Sequence, residues 1–157
     1  MNAFERQNLI GREAEMEVAL AFFGAGWAVQ WKNARERRDL VVWNGSGPEL
    51  LEIKNESAFA GGANLCIELV QGYDNRPSGL AVSQSTVCIH YFGDYCWLYR
   101  TQAMRLFIRS RQFPVRPFGK SDNRNRGILL PTKELCDTAW AGECETAKLP
   151  EHHLFSD

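Results

Sequence analysis

Apolar residues near the start of the chain recur at the spacing of a helix. Ala14, Val18 and Phe22 fall on one face of a helical wheel. Two glycines follow at the end of this stretch, and glycine is typical of the residues that end helices. The pattern therefore predicts a first helix over residues 4–25.

Shorter apolar runs rich in β-branched residues come next, and they predict strands. The runs at residues 39–43 and 49–54 flank the turn sequence NGSGP, in which Asn-Gly accepts the positive φ angles of a tight hairpin. Further strands are predicted in WAVQW, LCIELV, STVCIHYF, YCWLYR and ILLP, and helices in TQAMRLFIRSR and TKELCDTAWAGE. This order predicts a single α/β domain over residues 1–157, with a central mixed β-sheet flanked by helices.

The composition is that of a globular domain, since 45% of the 157 residues are apolar and 24% are charged. No apolar run is as long as the ~18 residues of a membrane-spanning helix. The N-terminal residues also lack the layout of a secretory signal, so we expect no membrane contact and an intracellular, cytoplasmic location. The five cysteines are widely spaced without a CxxC pair, which favours reduced core thiols over a zinc site.

The net charge of −1 conceals an uneven distribution of charge. Between Arg100 and Arg126, eight basic residues stand against one acid, which would suit a polyanion. We expect contacts to nucleic-acid phosphates, without sequence reading, from a polar loop and from a second basic group just before Asp39: Lys120, Arg124 and Arg126, and Arg35, Arg37 and Arg38. The alternative is that the arginines only solvate a helix and a loop.

The candidate chemistry lies on the two arms of the predicted hairpin. Side chains alternate along a strand, so Leu51 and Ile53 share one face while Glu52 and Lys54 share the other. Antiparallel pairing brings the start of one strand beside the end of the next, which places Asp39 near Glu52. Two neighbouring carboxylates repel each other, and a divalent cation would resolve that repulsion.

A magnesium ion bound there would lower the pKa of bound water and stabilise charge on a scissile phosphate. Asp39 and Glu52 are the candidate carboxylate ligands, and the backbone carbonyl of Ile53 is a third. Lys54 could orient the attacking water or neutralise developing charge. On the first helix, Glu15 and Glu17 both lie about 80° from the centre of the apolar face, on opposite flanks, so either could lean toward this site.

The pattern of Asp39, twelve intervening residues and then Glu52-Ile53-Lys54 resembles the PD-(D/E)XK nuclease superfamily. The preceding helix, GREAEMEVALAFF, resembles the first helix of the Holliday-junction-resolvase-like branch, and later segments look similar to phage-encoded nucleases. There, a glycine followed four residues later by a glutamate matches Gly11 and Glu15, which favours Glu15 over Glu17 as a catalytic residue. Arg38 stands where the namesake proline would be.

The resemblance implies a restriction-endonuclease-like α-β-β-β-α-β core, dependence on Mg²⁺ or Mn²⁺, and hydrolysis of phosphodiester bonds. The leading hypothesis is therefore an endonuclease acting on branched or single-stranded DNA. One alternative is a catalytically inactive domain of this fold that binds nucleic acid, and another is an unrelated α/β domain with a surface charge network. The participation of Glu68 stays open, as does a homodimer, which cutting both strands of a junction would favour.

Overall fold

A long N-terminal helix leads into strands that form two sheets. The computed structural model describes residues 3–31, 39–56, 64–117, 125–135 and 144–148. Within these ranges the helices are α1 (Ala3–Gly24), α2 (Thr101–Arg111) and α3 (Thr132–Leu135), and a 3₁₀ turn spans Gly79–Ala81. The strands are β1 (Ala28–Trp31), β2 (Leu40–Trp43), β3 (Pro48–Asn55), β4 (Asn64–Gln71), β5 (Arg76–Pro77), β6 (Val87–Tyr91), β7 (Tyr95–Arg100), β8 (Arg116–Pro117), β9 (Arg126–Pro131) and β10 (Cys144–Lys148).

The main sheet has the strand order β1-β2-β3-β6-β7-β10. Its strands pair antiparallel except for β3 and β6, which run parallel, so the sheet is mixed. The predicted hairpin is confirmed, with Trp43 opposite Pro48 and positive φ angles at Gly45 and Gly47 in its turn. The α/β class, with a mixed sheet and flanking helices, is therefore confirmed.

The predicted strand LCIELV forms as β4, but it joins a second, antiparallel sheet of order β5-β4-β9-β8. β6 takes the position beside β3 instead. The two inner residues of β6 that face opposite sides, Ile89 and His90, are each about 1% exposed, which is the double-sided burial typical of a central parallel strand. β4 instead has half-buried residues on one side, including Cys66 and Glu68, and suits the smaller sheet.

Two hydrophobic cores lie on opposite faces of the main sheet. On one face, α1 packs through Ala14 and Val18 on a layer from β2, β3 and β6 that includes Leu51 and Ile53. On the other face, α2 and the second sheet pack on β6 and β7. Among the described residues, no helix is long and apolar enough to span a membrane.

The 3₁₀ turn packs directly on β4. Gly79 has a φ angle of +50°, and a Cβ atom there would lie 2.5 Å from the carbonyl oxygen of Glu68. The backbone N–H of Ser78 donates to the carbonyl of Leu69 at 2.9 Å, which ties the turn to the strand. This close approach requires glycine at position 79.

Replacing Gly79 with alanine should destabilise the protein more than Gly26→Ala. Both glycines have positive φ angles, so each variant carries backbone strain of about 1 kcal/mol. A Cβ atom at Gly26 would meet nothing within 4 Å, whereas one at Gly79 would overlap β4. We expect Gly79→Ala to lose about 1–3 kcal/mol more of its free energy of unfolding in urea titrations. Equal losses in the two variants would contradict the packing described here.

Candidate active site

The hairpin of β2 and β3 fixes the position of Asp39. This residue is 9% exposed, and its Oδ2 accepts a hydrogen bond from the backbone N–H of Ile53 at 2.7 Å. Its own N–H donates to the carbonyl of Leu51, also at 2.7 Å. The N–H and C=O of one strand residue point toward the same neighbouring strand, so the carbonyl of Ile53 points to the side of Asp39.

Glu52 and Lys54 project from the opposite face of β3 to Leu51 and Ile53. Lys54 Nζ lies 2.8 Å from Glu52 Oε1, with the Glu52 side chain 17% exposed and that of Lys54 43% exposed. The predicted alternation along β3 is therefore confirmed. The two charged side chains form an ion pair at the rim of the interior rather than on an open strand edge.

Electrostatics join Lys54 to three carboxylates. Burial alone would lower the pKa of the Lys54 ammonium. The negative charges of Glu52, Asp39 and Glu68 outweigh that effect, so the pKa stands above its ordinary value. Lys54 is consequently a cation throughout the neutral pH range, and the structure gathers the predicted triad together with Glu68.

Glu68 of β4 is held from two sides. One carboxylate oxygen accepts a hydrogen bond from Ser78 Oγ, and the other accepts one from Asn125 Nδ2 at 2.8 Å. The approach of the Gly79 turn to β4 is what brings Ser78 within reach of this carboxylate. Glu68 is thus fixed next to Lys54 rather than being a solvated strand residue.

A buried row of polar side chains lies behind the ion pair. His90, on β6 beside Lys54, is 1% exposed, with Nδ1 3.2 Å from Glu56 Oε1 and Nε2 2.9 Å from the Tyr99 hydroxyl. An ionised carboxylate only accepts, so Nδ1 is the donor to Glu56, and Nε2 pairs with the Tyr99 hydroxyl, which can donate or accept. Glu56, which its position past the strand predicts to be a loop acid, is instead 8% exposed and part of this row.

The sequence signal for this row is weak but present. His90 is the single polar residue in the otherwise apolar strand VCIHY. It has the same side-chain direction as Cys88, which pairs with Glu52 across the parallel strands. A polar residue inside an apolar central strand is therefore the feature that sequence reasoning could have used.

A small cavity of about 10 Å³ opens between the two sheets at this point. It has room for about one water molecule. Its lining joins the ion pair, the β4 carboxylate and the buried row: Glu52, Lys54, Glu68, His90 and Tyr99, with Cys66 and Cys88. The ion pair, Glu68 and the buried row therefore meet at one place.

The thiols near the cavity are reduced and protonated. Cys66, Cys88 and Cys96 are free, as the sequence predicts. Burial raises the pKa of Cys66 to about 11 and that of Cys96 to about 12. Neither is a nucleophile at neutral pH, since the thiolate is the reactive form. Cys136 lies outside the described residues.

α1 approaches the sheet from the other face. Because it packs on Leu51 and Ile53, Glu52 and Lys54 project away from it. Glu52 and Lys54 therefore do not lie under the body of the helix. A helix residue can reach the cluster only around the strand ends, near Asp39.

The two glutamates weighed on α1 lie on opposite flanks of the helix. Burial raises the pKa of Tyr91 on β6, and the negative charge of Glu17 raises it further, so Glu17 leans toward β6. Glu15 lies about 200° away around the helix, on the opposite flank from Glu17. Glu15 is half-buried, and its catalytic role stays a prediction.

The described arginines of the basic segment have different partners within the protein, and their contacts to nucleic acid stay a prediction. Arg100 Nη1 lies 2.6 Å from Glu49, and Arg105 donates to the backbone carbonyls of Leu80 and Ser83. Arg126 begins β9 and donates to the side chain of Asn75. The other predicted phosphate contacts lie outside the described residues: Arg35, Arg37, Arg38, Lys120 and Arg124.

The donors near Asp39 fit a hard cation such as Mg²⁺. The carboxylates of Asp39 and Glu52 and the carbonyl of Ile53 all offer oxygen atoms, and Mg²⁺ uses one or two carboxylates and completes its shell with water and phosphate oxygens. In the part of the chain that the structure describes, no group of three or more His, Cys, Asp and Glu side chains forms a ready-made metal centre. These few oxygen donors would fill part of the shell of a magnesium or manganese ion and leave the other positions to water and phosphate oxygens.

The mixed sheet with α1 on one face and α2 on the other is an arrangement found in a solved protein structure. The structure resembles that of I-Ssp6803I, a bacterial homing endonuclease, with a TM-score of 0.53. The two chains are 15% identical, and the match covers 87% of each. No protein-family model matches the chain, and no curated protein matches its sequence.

Breaking the buried row should cost stability. Glu56→Ala would leave the Nδ1 of His90 unpaired in the interior, for a loss of about 2 kcal/mol in the free energy of unfolding. Tyr99→Phe removes one hydrogen bond and should cost about 1 kcal/mol. Asp94→Ala, at an exposed turn between β6 and β7, serves as the control and should stay within about 0.5 kcal/mol of the wild type. Chemical denaturation that ranks Glu56→Ala with Asp94→Ala would rule out the row as described.

Proposed function

We propose that the protein is a divalent-metal-dependent DNA endonuclease that hydrolyses phosphodiester bonds in branched or single-stranded DNA. One observation carries the proposal: Asp39, Glu52 and Lys54 come from the two arms of one hairpin and form a single electrostatic cluster. The fold shared with a homing endonuclease supports it. The spacing that resembles PD-(D/E)XK nucleases supports it independently.

Asp39, Glu52 and the carbonyl of Ile53 would hold Mg²⁺ or Mn²⁺. When bound, such an ion activates water and stabilises negative charge on phosphate oxygens. The chain itself contributes the orientation of Asp39, because the Ile53 N–H donates to its Oδ2 and holds the carboxylate at the end of β3. A charged group that is held in position before the reaction lowers the barrier more than a mobile group does.

Lys54 acts in this proposal as a cation and not as a base. Its raised pKa keeps the ammonium protonated at neutral pH. A protonated amine has three donors and cannot accept a proton. It can hold the attacking water or stabilise the charge that grows on the phosphate, while Glu52 and Glu68 hold it over the cavity.

The competing hypotheses differ in how they fit this geometry. A surface charge network requires Glu52 and Lys54 on a solvent face far from Asp39, whereas Glu52 is 17% exposed and the charge of Asp39 acts on Lys54. A domain that binds nucleic acid without cutting remains the alternative. Isothermal titration calorimetry with Mg²⁺ and Mn²⁺ separates the two, since a non-cutting domain has no need of the ion.

Asp39→Asn and Lys54→Met should abolish cleavage while the protein stays folded. Asparagine can still accept the Ile53 N–H but lacks the charge, and methionine keeps the length of the lysine stem without its cation. We expect each to lower the cleavage rate by at least about 100-fold, the scale of losing one electrostatic contact to a transition state. Gel assays with junction, single-stranded and duplex DNA in Mg²⁺ or Mn²⁺ would measure the rates, and chelator should abolish them.

Asp94→Asn is the matched control for Asp39→Asn, because it removes the same charge from an exposed turn. It should cut at the wild-type rate. Full activity in Asp39→Asn or Lys54→Met would refute the assigned mechanism. If the junction proves to be the preferred substrate, cutting both of its strands would call for two copies of the chain, which analytical ultracentrifugation with the junction bound would detect.

A further inference from the structure

Three arginines from three strands lie at one end of the second sheet. Arg76 of β5 pairs with Gln71, and Arg126 of β9 lies opposite both Val70 and Pro117. Arg116 of β8 pairs with Gly127. By this register Arg76 and Arg116 share one face of the sheet, three strand spacings or about 15 Å apart, and Arg126 on the strand between them points to the other face. We refer to these three residues as the arginine rim.

The outer members of the rim are open to solvent. The Arg76 side chain is 76% exposed, and Arg116 is exposed as well. Asp74 lies 2.8 Å from Arg76 Nε, but its own side chain is 59% exposed. An ion pair this exposed stabilises the protein little, so Arg76 can exchange Asp74 for a stronger anion at small cost.

Two other arginines of the basic segment are engaged within the protein. Arg105 donates to two backbone carbonyls of the turn after β5, and Arg100 donates to a carboxylate of β3. The guanidinium groups of the outer rim meet a single exposed carboxylate among the described contacts. The outer rim is therefore better suited to an external polyanion than Arg100 and Arg105 are.

The rim is physically connected to the candidate active site. Arg126 donates to Asn75 in the turn between β4 and β5, which fixes its guanidinium on that turn. Asn125, the residue before it, donates to Glu68 at 2.8 Å. Glu68 lies two residues from Val70, so about 7 Å of strand separates the cluster around Lys54 from the rim. A chain of phosphates held on the rim would pass beside that cluster.

We propose that the arginine rim binds the sugar–phosphate backbone of DNA next to the active site. The choice of DNA rests on the proposed function, and the surface itself rests on the strand register and the exposure of its arginines. Guanidinium groups pair with phosphate oxygens through two parallel hydrogen bonds. Contacts of this kind position the duplex without reading its sequence.

Binding can be tested separately from cleavage. Fluorescence anisotropy with a short labelled DNA duplex, in chelator and over a range of salt concentrations, compares the wild type with Arg76→Ala/Arg116→Ala. We expect the double variant to bind about tenfold more weakly at low salt. The slope of log affinity against log salt should fall by about 0.9 for each arginine removed.

Lys133→Ala is the matched control. Lys133 is exposed on α3, which begins where β9 ends, so it carries a removable charge at the opposite end of the same sheet. Its affinity should stay within about twofold of the wild type, and its salt slope should not change. Thermal unfolding of all variants controls for folding, and the single variant Arg116→Gln replaces the double variant if that one unfolds.

Each result has a definite meaning. Equal weakening by the rim variants and by Lys133→Ala, or no binding of DNA by the wild type, overturns the rim. Binding that depends on the rim in a protein that never cuts in Mg²⁺ or Mn²⁺ keeps the rim and refutes the proposed endonuclease. If the protein cuts DNA and the rim variants bind it with unchanged affinity, the endonuclease proposal is kept and the rim is refuted.

Discussion

β3 lies between an antiparallel neighbour, β2, and a parallel neighbour, β6, and the two pairings together fix the direction of every side chain that matters to the site. The odd residues Leu51 and Ile53 face α1, so Glu52 and Lys54 must face the second sheet. A slip of one residue in either pairing would exchange these faces and place two charges under the helix. Burial of the apolar pair therefore holds the ion pair in position.

The same strand also organises the site through its backbone. The N–H of Ile53 has no strand partner on β2, which begins at Leu40, and Asp39 takes that place with its carboxylate. On the other side, the N–H of Glu56 donates to the carbonyl of Tyr91 and carries its side chain under β6 to His90. The end of β3 is thus fixed on the β2 side by the Asp39 carboxylate and on the β6 side by Glu56, whose carboxylate binds His90.

The local elements could be predicted from sequence because their signals are local. The Asn-Gly turn and the β-branched residues around it determine the hairpin, and the alternation of Leu51 and Ile53 with Glu52 and Lys54 gives their directions. Strand order is a different kind of fact, because β4 and β6 are both apolar runs of similar length. That β6 lies beside β3 depends on which strand buries both of its faces, and this is decided only when the second sheet and α2 have packed.

The same reasoning explains which site residues could not be predicted from the sequence. Glu56 and His90 are distant in the chain, and nothing near either one indicates a partner, so their pairing depends on the parallel register of β3 and β6. Arg105 carries a charge that suggests a polyanion, yet the carbonyls of the turn after β5 need donors, and the guanidinium supplies them. Charge counted along a sequence overestimates a binding surface wherever the fold leaves backbone groups to be satisfied.

Glu68 shows how the two sheets depend on each other. Its carboxylate receives Ser78 and Asn125 from two different segments of the second sheet, and its charge adds to those of Asp39 and Glu52 on Lys54. A carboxylate held by neutral donors keeps its full charge, whereas one bonded to an arginine would be largely cancelled. The packing of Gly79 on β4 therefore fixes the Glu68 carboxylate as a third negative group near Lys54. The Lys54 cation lies at the cavity because these charges are arranged before any substrate binds.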